Sequence, residues 1–233
     1  MEQTNISILS TRPLDALLVN QAKQQGIDIE ELSFIKTEPV FSIEVQQEIQ
    51  QAFILTSVVV FTSMNAVEAV AFFLEDARPD WTIYCIGHTT AKKVEEYFGR
   101  RAIAGTADDA VSLADLIIAD RFTNEIIFFC GDKRRDELPD LLRNDNFNVN
   151  EINVYQTISL PHKIKKNYTA ILFFSPSAVV SFFENNQLPV NTMLFAIGNT
   201  TAAEIKKYTP NTIMIAEQPG KENMVKQAIE YFT

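Results

Sequence analysis

Apolar runs of strand length alternate with amphipathic stretches of helix length almost from one end of the chain to the other. This alternation indicates βαβ units, because parallel strands need a long crossover connection that is usually a helix. The runs predict strands at 6–10, 58–62, 82–86, 125–130, 171–174, 193–197 and 212–216. The clearest helices are predicted at 13–25, 66–74, 90–98, 112–118, 135–143, 178–184, 201–208 and 222–231. We expect an α/β protein with mainly parallel sheets flanked by helices.

One segment of the sequence has a second copy. The letters FTSMNAV at 61–67 and IGHTTA at 86–91 recur about 111 residues later as FFSPSAV at 173–179 and IGNTTA at 197–202. Chance likeness between two hydrophobic patterns is the alternative, but the glycine and both threonines match in register. With 233 residues, the chain is also long enough for two domains of ordinary size, about 100–200 residues each. The repeat therefore predicts two similar α/β lobes.

Two extended, proline-containing segments, 37–41 and 154–161, interrupt the alternation. Proline argues against helix in both. If they lie side by side, residues 43–153 form a second lobe inserted in a first lobe made of 1–37 and 161–233. Residues 38–42 and 154–160 are then two linker strands. We expect the functional site in the cleft between the lobes.

Charge and composition exclude several classes of function. The net charge of −10 disfavours nucleic acid as a partner, and residues 38–160 carry the whole excess, with 20 acidic and 10 basic side chains. Neither a signal peptide nor an apolar run of membrane-spanning length is visible, so we expect a cytoplasmic protein without membrane contact. Cys85 and Cys130 lie in apolar runs typical of buried strands, which argues against metal binding and thiol catalysis.

Signatures of cofactor and metal sites are also missing from the sequence. The chain has seven glycines and neither a Gly-x-Gly-x-x-Gly nor a phosphate-binding loop motif, which disfavours a nucleotide cofactor. His88 and His162 lack a metal-like spacing of further ligands, and no Gly-x-Ser-x-Gly elbow is present. We expect neither cofactor nor metal.

Small polar residues follow the predicted strands and open the next helices. Such turns place backbone N–H groups and hydroxyls at the positive end of a helix dipole, where carboxylates or phosphates bind. Ordinary helix capping is the alternative for any single turn. Because the turns occur in both repeats, we predict that they bind an anionic ligand. The substrate-binding candidates are Thr11, Arg12, Thr62, Ser63, Asn65, Gly87, His88, Thr89, Gly131, Arg135, Ser175, Ser177, Gly198, Asn199, Thr200 and Thr201.

Two further features have open alternatives. The basic cluster Lys133, Arg134 and Arg135 either meets an anionic ligand or pairs with the neighbouring Asp132 and Asp136. Tyr155, in the second extended segment, either donates a proton to a ligand or packs as an ordinary strand tyrosine.

At these residues the sequence resembles the uroporphyrinogen-III synthase family. The resemblance is carried, in family order and over nearly the whole chain, by STRP at 10–13, TSMNAV at 62–67, GxxxRxxLP at 131–139, VYQT at 154–157, FSPSAV at 174–179 and IGNTTA at 197–202. One departure is Asn146, where a glycine commonly precedes the apolar residue; it is a predicted loop position.

The resemblance implies two α/β lobes joined by a two-stranded ladder. It also implies a hydro-lyase that closes hydroxymethylbilane to uroporphyrinogen III with inversion of ring D through a spiro intermediate, without cofactor, as a monomer in heme biosynthesis. The expected partner is then a linear tetrapyrrole polycarboxylate, and Tyr155 is the catalytic candidate. The alternatives are a non-enzymatic two-lobed sensor of a small anionic ligand and a regulator that kept the fold without activity.

Overall fold

The computed structural model describes residues 6–55, 57–74, 77–218 and 220–233. Met1–Asn5, on which the expected absence of a signal peptide partly rests, lie outside these ranges. The described residues form two compact units. Unit 1 comprises those within Met1–Lys36 and Ile158–Thr233, and unit 2 comprises those within Thr37–Thr157.

Strands and helices alternate along the described chain. In order they are β1 Ile6–Ser10, α1 Ala16–Gln24, β2 Ile27–Glu31, β3 Ile35–Pro39, α2 Ile43–Ile54, β4 Ser57–Phe61, α3 Met64–Leu74, β5 Trp81–Ile86, α4 His88–Phe98, β6 Ile103–Ala107, α5 Ala110–Asp120, β7 Glu125–Gly131, α6 Glu137–Asn144, β8 Asn148–Ser159, β9 Ala170–Phe173, α7 Pro176–Asn185, β10 Met193–Ala196, α8 Asn199–Ile205, β11 Ile213–Ile215 and α9 Lys221–Phe232, with a short 3₁₀ helix at Arg100–Ala102.

The sheet of unit 1 has the order β11-β10-β9-β1-β2, and its strand pairs are parallel. Successive residues of a strand face opposite sides, so Ile8 and Leu9, both fully buried, enter different cores. Ile8 packs with residues of α1 and α9, whereas Leu9 packs with residues of α7 and α8. Helices therefore cover both faces of this sheet.

The sheet of unit 2 has the order β3-β8-β7-β4-β5-β6. Its pairs from β8 to β6 are parallel. Val59 and Phe61 pack against α2, α3 and α4, and Val60 packs on the opposite face against α5 and α6. Both copies of the sequence repeat thus fold as strand, helix, strand, helix, namely β4-α3-β5-α4 and β9-α7-β10-α8.

Strands β3 and β8 are neighbours in this sheet. Val40 N–H donates to the Val154 carbonyl at 3.0 Å, and Leu160 N–H donates to the Phe34 carbonyl at 2.8 Å, so the two strands run in opposite directions. The chain passes from one unit to the other within these two strands. The predicted linker segments 38–42 and 154–160 overlap them, although β8 begins well before, at Asn148.

The predicted α/β class with mainly parallel, helix-flanked sheets is confirmed, and several boundaries are corrected. Helix α1 begins at Ala16 rather than 13, because the Asp15 carboxylate accepts the Leu17 N–H at 2.8 Å and caps the helix there. Helix α6 begins at Glu137 rather than 135. Thr62 follows β4 instead of ending it. Strands β2 and β6 and helix α2 were not predicted.

Candidate functional site

The carboxyl ends of neighbouring parallel strands lie at the same edge of a sheet, where open α/β proteins bind ligands. In unit 1 the neighbours β10, β9 and β1 end at this edge. The turns and helix starts that follow these strands contain eight of the predicted residues. We call this set the unit 1 edge: Thr11, Arg12, Ser175, Ser177, Gly198, Asn199, Thr200 and Thr201.

The neighbours β7, β4 and β5 end in the same way in unit 2, whereas β8 continues to Ser159. Eight of the remaining predicted residues lie at or after these strand ends, and the ninth, Tyr155 within β8, pairs with the last residue of β7. We call these nine the unit 2 edge: Thr62, Ser63, Asn65, Gly87, His88, Thr89, Gly131, Arg135 and Tyr155. Each unit therefore has one polar edge.

Three of the predicted hydroxyls are already used within their own units. Ser63 Oγ accepts the Asn65 N–H at 3.2 Å. Ser175 Oγ caps α7 by accepting the Ala178 N–H at 3.2 Å. Thr11 is buried and donates its hydroxyl to the Leu172 carbonyl at 2.7 Å. The capping alternative explains the residue type at Ser63 and Ser175, and the contact with β9 explains it at Thr11.

The matched turns at Gly87 and Gly198 differ from the serine turns. Helix α4 starts after Gly87 and α8 after Gly198, and neither helix has a side-chain cap. Because the N–H groups of a first helical turn have no intrahelical acceptor, the start of the eleven-residue α4 can donate to an anion. Gly87 has φ +82°, a conformation that strongly favours glycine, and its N–H is fixed to the Ala107 carbonyl at 2.8 Å.

Arg12 supplies a positive charge at the unit 1 edge. Its guanidinium carbon lies 5.7 Å from the centre of the Phe174 ring, a cation–π contact. Burial lowers the pKa of Arg12, yet an arginine stays protonated at neutral pH. Within the described ranges no carboxylate forms a salt bridge with it. The guanidinium is therefore suited to bind a ligand carboxylate.

The basic cluster after β7 is largely occupied by acidic neighbours. Lys133 Nζ lies 3.9 Å from an Asp132 oxygen, and Arg134 forms ion pairs with Asp136 and Glu151. The paired alternative therefore holds for Lys133 and Arg134. Arg135, the predicted site residue of this cluster, is exposed at the unit 2 edge.

Tyr155 is half-buried, and its ring packs against the core cluster that contains Phe129 and Ile152. Its carbonyl accepts the Asp132 N–H at 3.2 Å. Asp132 and Phe174 are site residues that sequence reasoning missed. Asp132 follows the predicted Gly131, but its contact with β8 depends on tertiary structure.

Two negative findings concern the described residues only. His, Cys, Asp and Glu side chains do not gather there in groups of three or more that could hold a metal ion. A search of the same residues finds no helix with the length and apolar character needed to cross a membrane.

The fold and the two polar edges define a class of protein: a two-unit α/β protein with a polar edge at the strand ends of each mainly parallel sheet. Comparison with solved structures finds uroporphyrinogen-III synthetase from Helicobacter pylori, at 17% identity, TM-score 0.68 and coverage of 97% of this chain and 99% of that one. A mutant uroporphyrinogen III synthase from Thermus thermophilus matches at 13% identity and TM-score 0.67, covering 97% and 98%. These two likenesses show the fold.

The family is shown by sequence. The family model described as uroporphyrinogen-III synthase HemD matches residues 17–226, so the chain belongs to that family. Its members are enzymes of tetrapyrrole biosynthesis that act on a small-molecule tetrapyrrole. The resemblance found in the sequence is confirmed, and neither comparison supports the sensor alternative.

Proposed function

We propose that this chain is the hydro-lyase that converts hydroxymethylbilane, a linear tetrapyrrole polycarboxylate, into uroporphyrinogen III without a cofactor. Membership of the uroporphyrinogen-III synthase family supports the proposal. In this reaction the terminal hydroxyl leaves as water, the last pyrrole ring is inverted, and the macrocycle closes.

The observation that carries the proposal is the start of the eleven-residue helix α4 at Gly87, which has no side-chain cap. Backbone N–H groups attract carboxylates without adding formal charge. This matters because the chain carries a net charge of −10 and repels a polyanion at long range. Salt screens that repulsion beyond about 8 Å, so the local donors decide binding.

The chemistry follows from the substrate. Departure of the hydroxyl, with a proton, leaves an azafulvene cation that is stabilised by the pyrrole nitrogen. The substituted carbon of the last ring attacks this cation and forms a spiro intermediate, from which the ring reattaches inverted. The protein's main task is to hold the chain in the folded arrangement that favours this attack over direct closure to the symmetric type I isomer. Tyr155 helps to protonate the departing hydroxyl.

The proposed enzyme is a cytoplasmic monomer. Light scattering coupled to size exclusion tests the oligomeric state: a mass near 26.3 kDa supports a monomer, and twice that mass contradicts it.

Product analysis tests the reaction itself. The protein is given hydroxymethylbilane, the products are oxidised, and type I and type III porphyrins are separated by chromatography. An excess of type III over a protein-free control supports the proposal, whereas type I alone overturns it.

A charge variant tests the helix start at Gly87. Thr89→Asp adds a negative charge to the first turn of α4. The charge stabilises the helix by interacting favourably with its dipole, but it repels a substrate carboxylate. We expect a higher KM with an unchanged or raised melting temperature. Ile43→Asp is the matched control, because it adds the same charge to the first turn of α2, which does not follow a parallel strand. Equal KM values for the two variants would argue against binding at Gly87.

A further inference from the structure

The ring of Tyr155 occupies the space beside Gly131 where any other residue would carry its side chain. A Cβ atom at Gly131 would lie 2.6 Å from Tyr155 Cε2 and 2.7 Å from its hydroxyl oxygen, and closer still to Cζ. Such distances are far below van der Waals contact between carbon atoms. Gly131 is not among the described glycines with positive φ, so its backbone alone does not require glycine. Glycine is required at this position because the Tyr155 ring occupies the space that a side chain would take.

A slip in strand pairing brings the two residues together. Cys130 is paired with Asn153, but the next residue, Gly131, is paired with Tyr155, so Val154 is the extra residue of a bulge in β8. Bulges bend a strand and redirect its side chains, and they are frequent beside active sites. Here the bulge sets Tyr155 directly opposite the glycine at the end of β7.

Asp132 fixes the backbone on both sides of Gln156. Its N–H donates to the Tyr155 carbonyl at 3.2 Å, and its carboxylate accepts the Thr157 N–H at 2.8 Å. A side chain of the loop after β7 thus takes the place of the strand pairing that ends at Gly131. The segment that carries Tyr155 is held by one residue through two hydrogen bonds.

The loop that carries Asp132 is itself anchored to β8. Arg134 N–H donates to the Gly131 carbonyl at 3.2 Å, and the Arg134 guanidinium forms an ion pair with Glu151. The Glu151 side chain is only 13% exposed and also binds Arg143 at 2.6 Å. Loop and strand are therefore joined both before and after Tyr155 along β8.

We propose that Gly131 and Asp132 are positioning residues for Tyr155. The glycine leaves a notch in which the phenol ring lies, and the aspartate holds the bulged strand so that the hydroxyl stays at the unit 2 edge. This inference rests on the proposed function, in which Tyr155 protonates the departing hydroxyl. The inference adds that the Tyr155 hydroxyl can protonate the substrate only when Gly131 and Asp132 hold the ring in this position.

The test begins with Tyr155→Phe and Gly131→Ala. Removing a general acid typically costs about 10²–10⁴-fold in rate, but the hydroxyl here is already activated by the pyrrole nitrogen, so we expect a kcat loss of about tenfold for Tyr155→Phe. Gly131→Ala should lower kcat by a similar factor and leave KM within about twofold. The double variant should have the same kcat as Tyr155→Phe alone. Once the hydroxyl is absent, displacing the ring removes no further contribution to the rate.

Gly105→Ala is a matched control for crowding. A Cβ at Gly105 would meet the Tyr84 ring, 2.9 Å from Cδ1 and 3.0 Å from Cε1, in the same unit. The Tyr84 hydroxyl donates to Asp120 and has no part in the proposed reaction. We expect Gly105→Ala to lower the melting temperature and to leave kcat unchanged.

Asp132 provides a second measurement, which does not depend on Gly131→Ala folding. Asp132→Ala removes the acceptor for Thr157 N–H and should lower kcat, whereas Asp132→Asn keeps an oxygen acceptor and should restore most of it. Equal kcat values for these two variants would overturn the positioning role of Asp132.

The possible failures are distinguishable. If the wild-type protein yields no excess of type III porphyrin, the proposed function fails. If it does, but Tyr155→Phe keeps the wild-type kcat, the role of Tyr155 and this inference fail while the function stands. If Gly131→Ala slows the Tyr155→Phe variant further, the glycine acts in another way and the inference is overturned.

Discussion

Replacing Arg12 with methionine should weaken substrate binding at the unit 1 edge. The guanidinium lies over the Phe174 ring at 5.7 Å and has no carboxylate partner among the described residues, so it can bind a substrate carboxylate without first breaking an ion pair. Methionine keeps an apolar side chain of similar length beside the ring. The variant thus removes the charge and the donors with little loss of packing.

The magnitude follows from the two interactions that are lost. A hydrogen bond to a charged group contributes about 1.5–3 kcal/mol, which corresponds to a rise in KM of about 10- to 150-fold. The cation–π contact with Phe174 contributes about 0.5–1 kcal/mol to folding, so the melting temperature should fall only slightly. Initial rates of type III formation at varied hydroxymethylbilane concentration give kcat and KM.

Arg121→Met is the matched control. The Arg121 guanidinium also lies over a ring, 4.6 Å from the centre of Phe147, but it pairs with Asp145 at 2.6 Å and follows α5, away from the strand ends. This variant should lose stability and keep the wild-type KM. The reasoning is refuted if Arg12→Met has a KM within about twofold of the wild type, or if both variants raise KM equally.

Three further predictions concern stability. Ser175→Ala should lower the free energy of unfolding by about 1 kcal/mol through loss of the α7 cap, measured by urea unfolding, and Ser177→Ala should not; equal losses would contradict the capping role. Trp81→Phe should cost about 1–3 kcal/mol, because its indole N–H donates to a buried carbonyl of α2 at 2.9 Å, and a cost below about 0.5 kcal/mol would show that this bond contributes little. Burial raises the pKa of the Cys85 and Cys130 thiols from 9.0 to about 11, so the unfolded chain releases their protons first and stability should fall as pH rises from about 9 to 11; a double alanine variant with the same alkaline decline would contradict this.

Sequence patterns predicted the strands that form continuous apolar runs, together with the edge strand β11, and missed two other edge strands. The apolar run at 171–174 corresponds to β9, whose residues are all buried. Strands β2 and β6 are edge strands, and their sequences IDIEE and IAGTA alternate apolar residues with polar or small ones instead of forming a continuous apolar run. Helix α2 was also missed, and it buries only Ile49 and Ala52 among its described residues.

The candidate site was predictable as a set of turns but not in its internal contacts. The repeat placed small polar residues after matched strands, and the structure brings them to one edge of each sheet. The sequence could not tell that Ser63 and Ser175 use their hydroxyls on the nearest N–H groups, whereas the starts at Gly87 and Gly198 lack side-chain caps. The contact between Gly131 and Tyr155 depends on a bulge that no local pattern signals.

The pairing of β1 with β9 has a consequence for synthesis of the protein on the ribosome. Ile8 and Leu9 are fully buried in the finished unit, but β9 is translated about 160 residues later. At about 5–20 residues per second the nascent β1 waits roughly 10–30 s with only β2 available, and a two-stranded pair is not stable alone. Residues 37–157 emerge in that interval, so β1 reaches its neighbour β9 only after unit 2 has been made, and its apolar side chains need protection from aggregation until then.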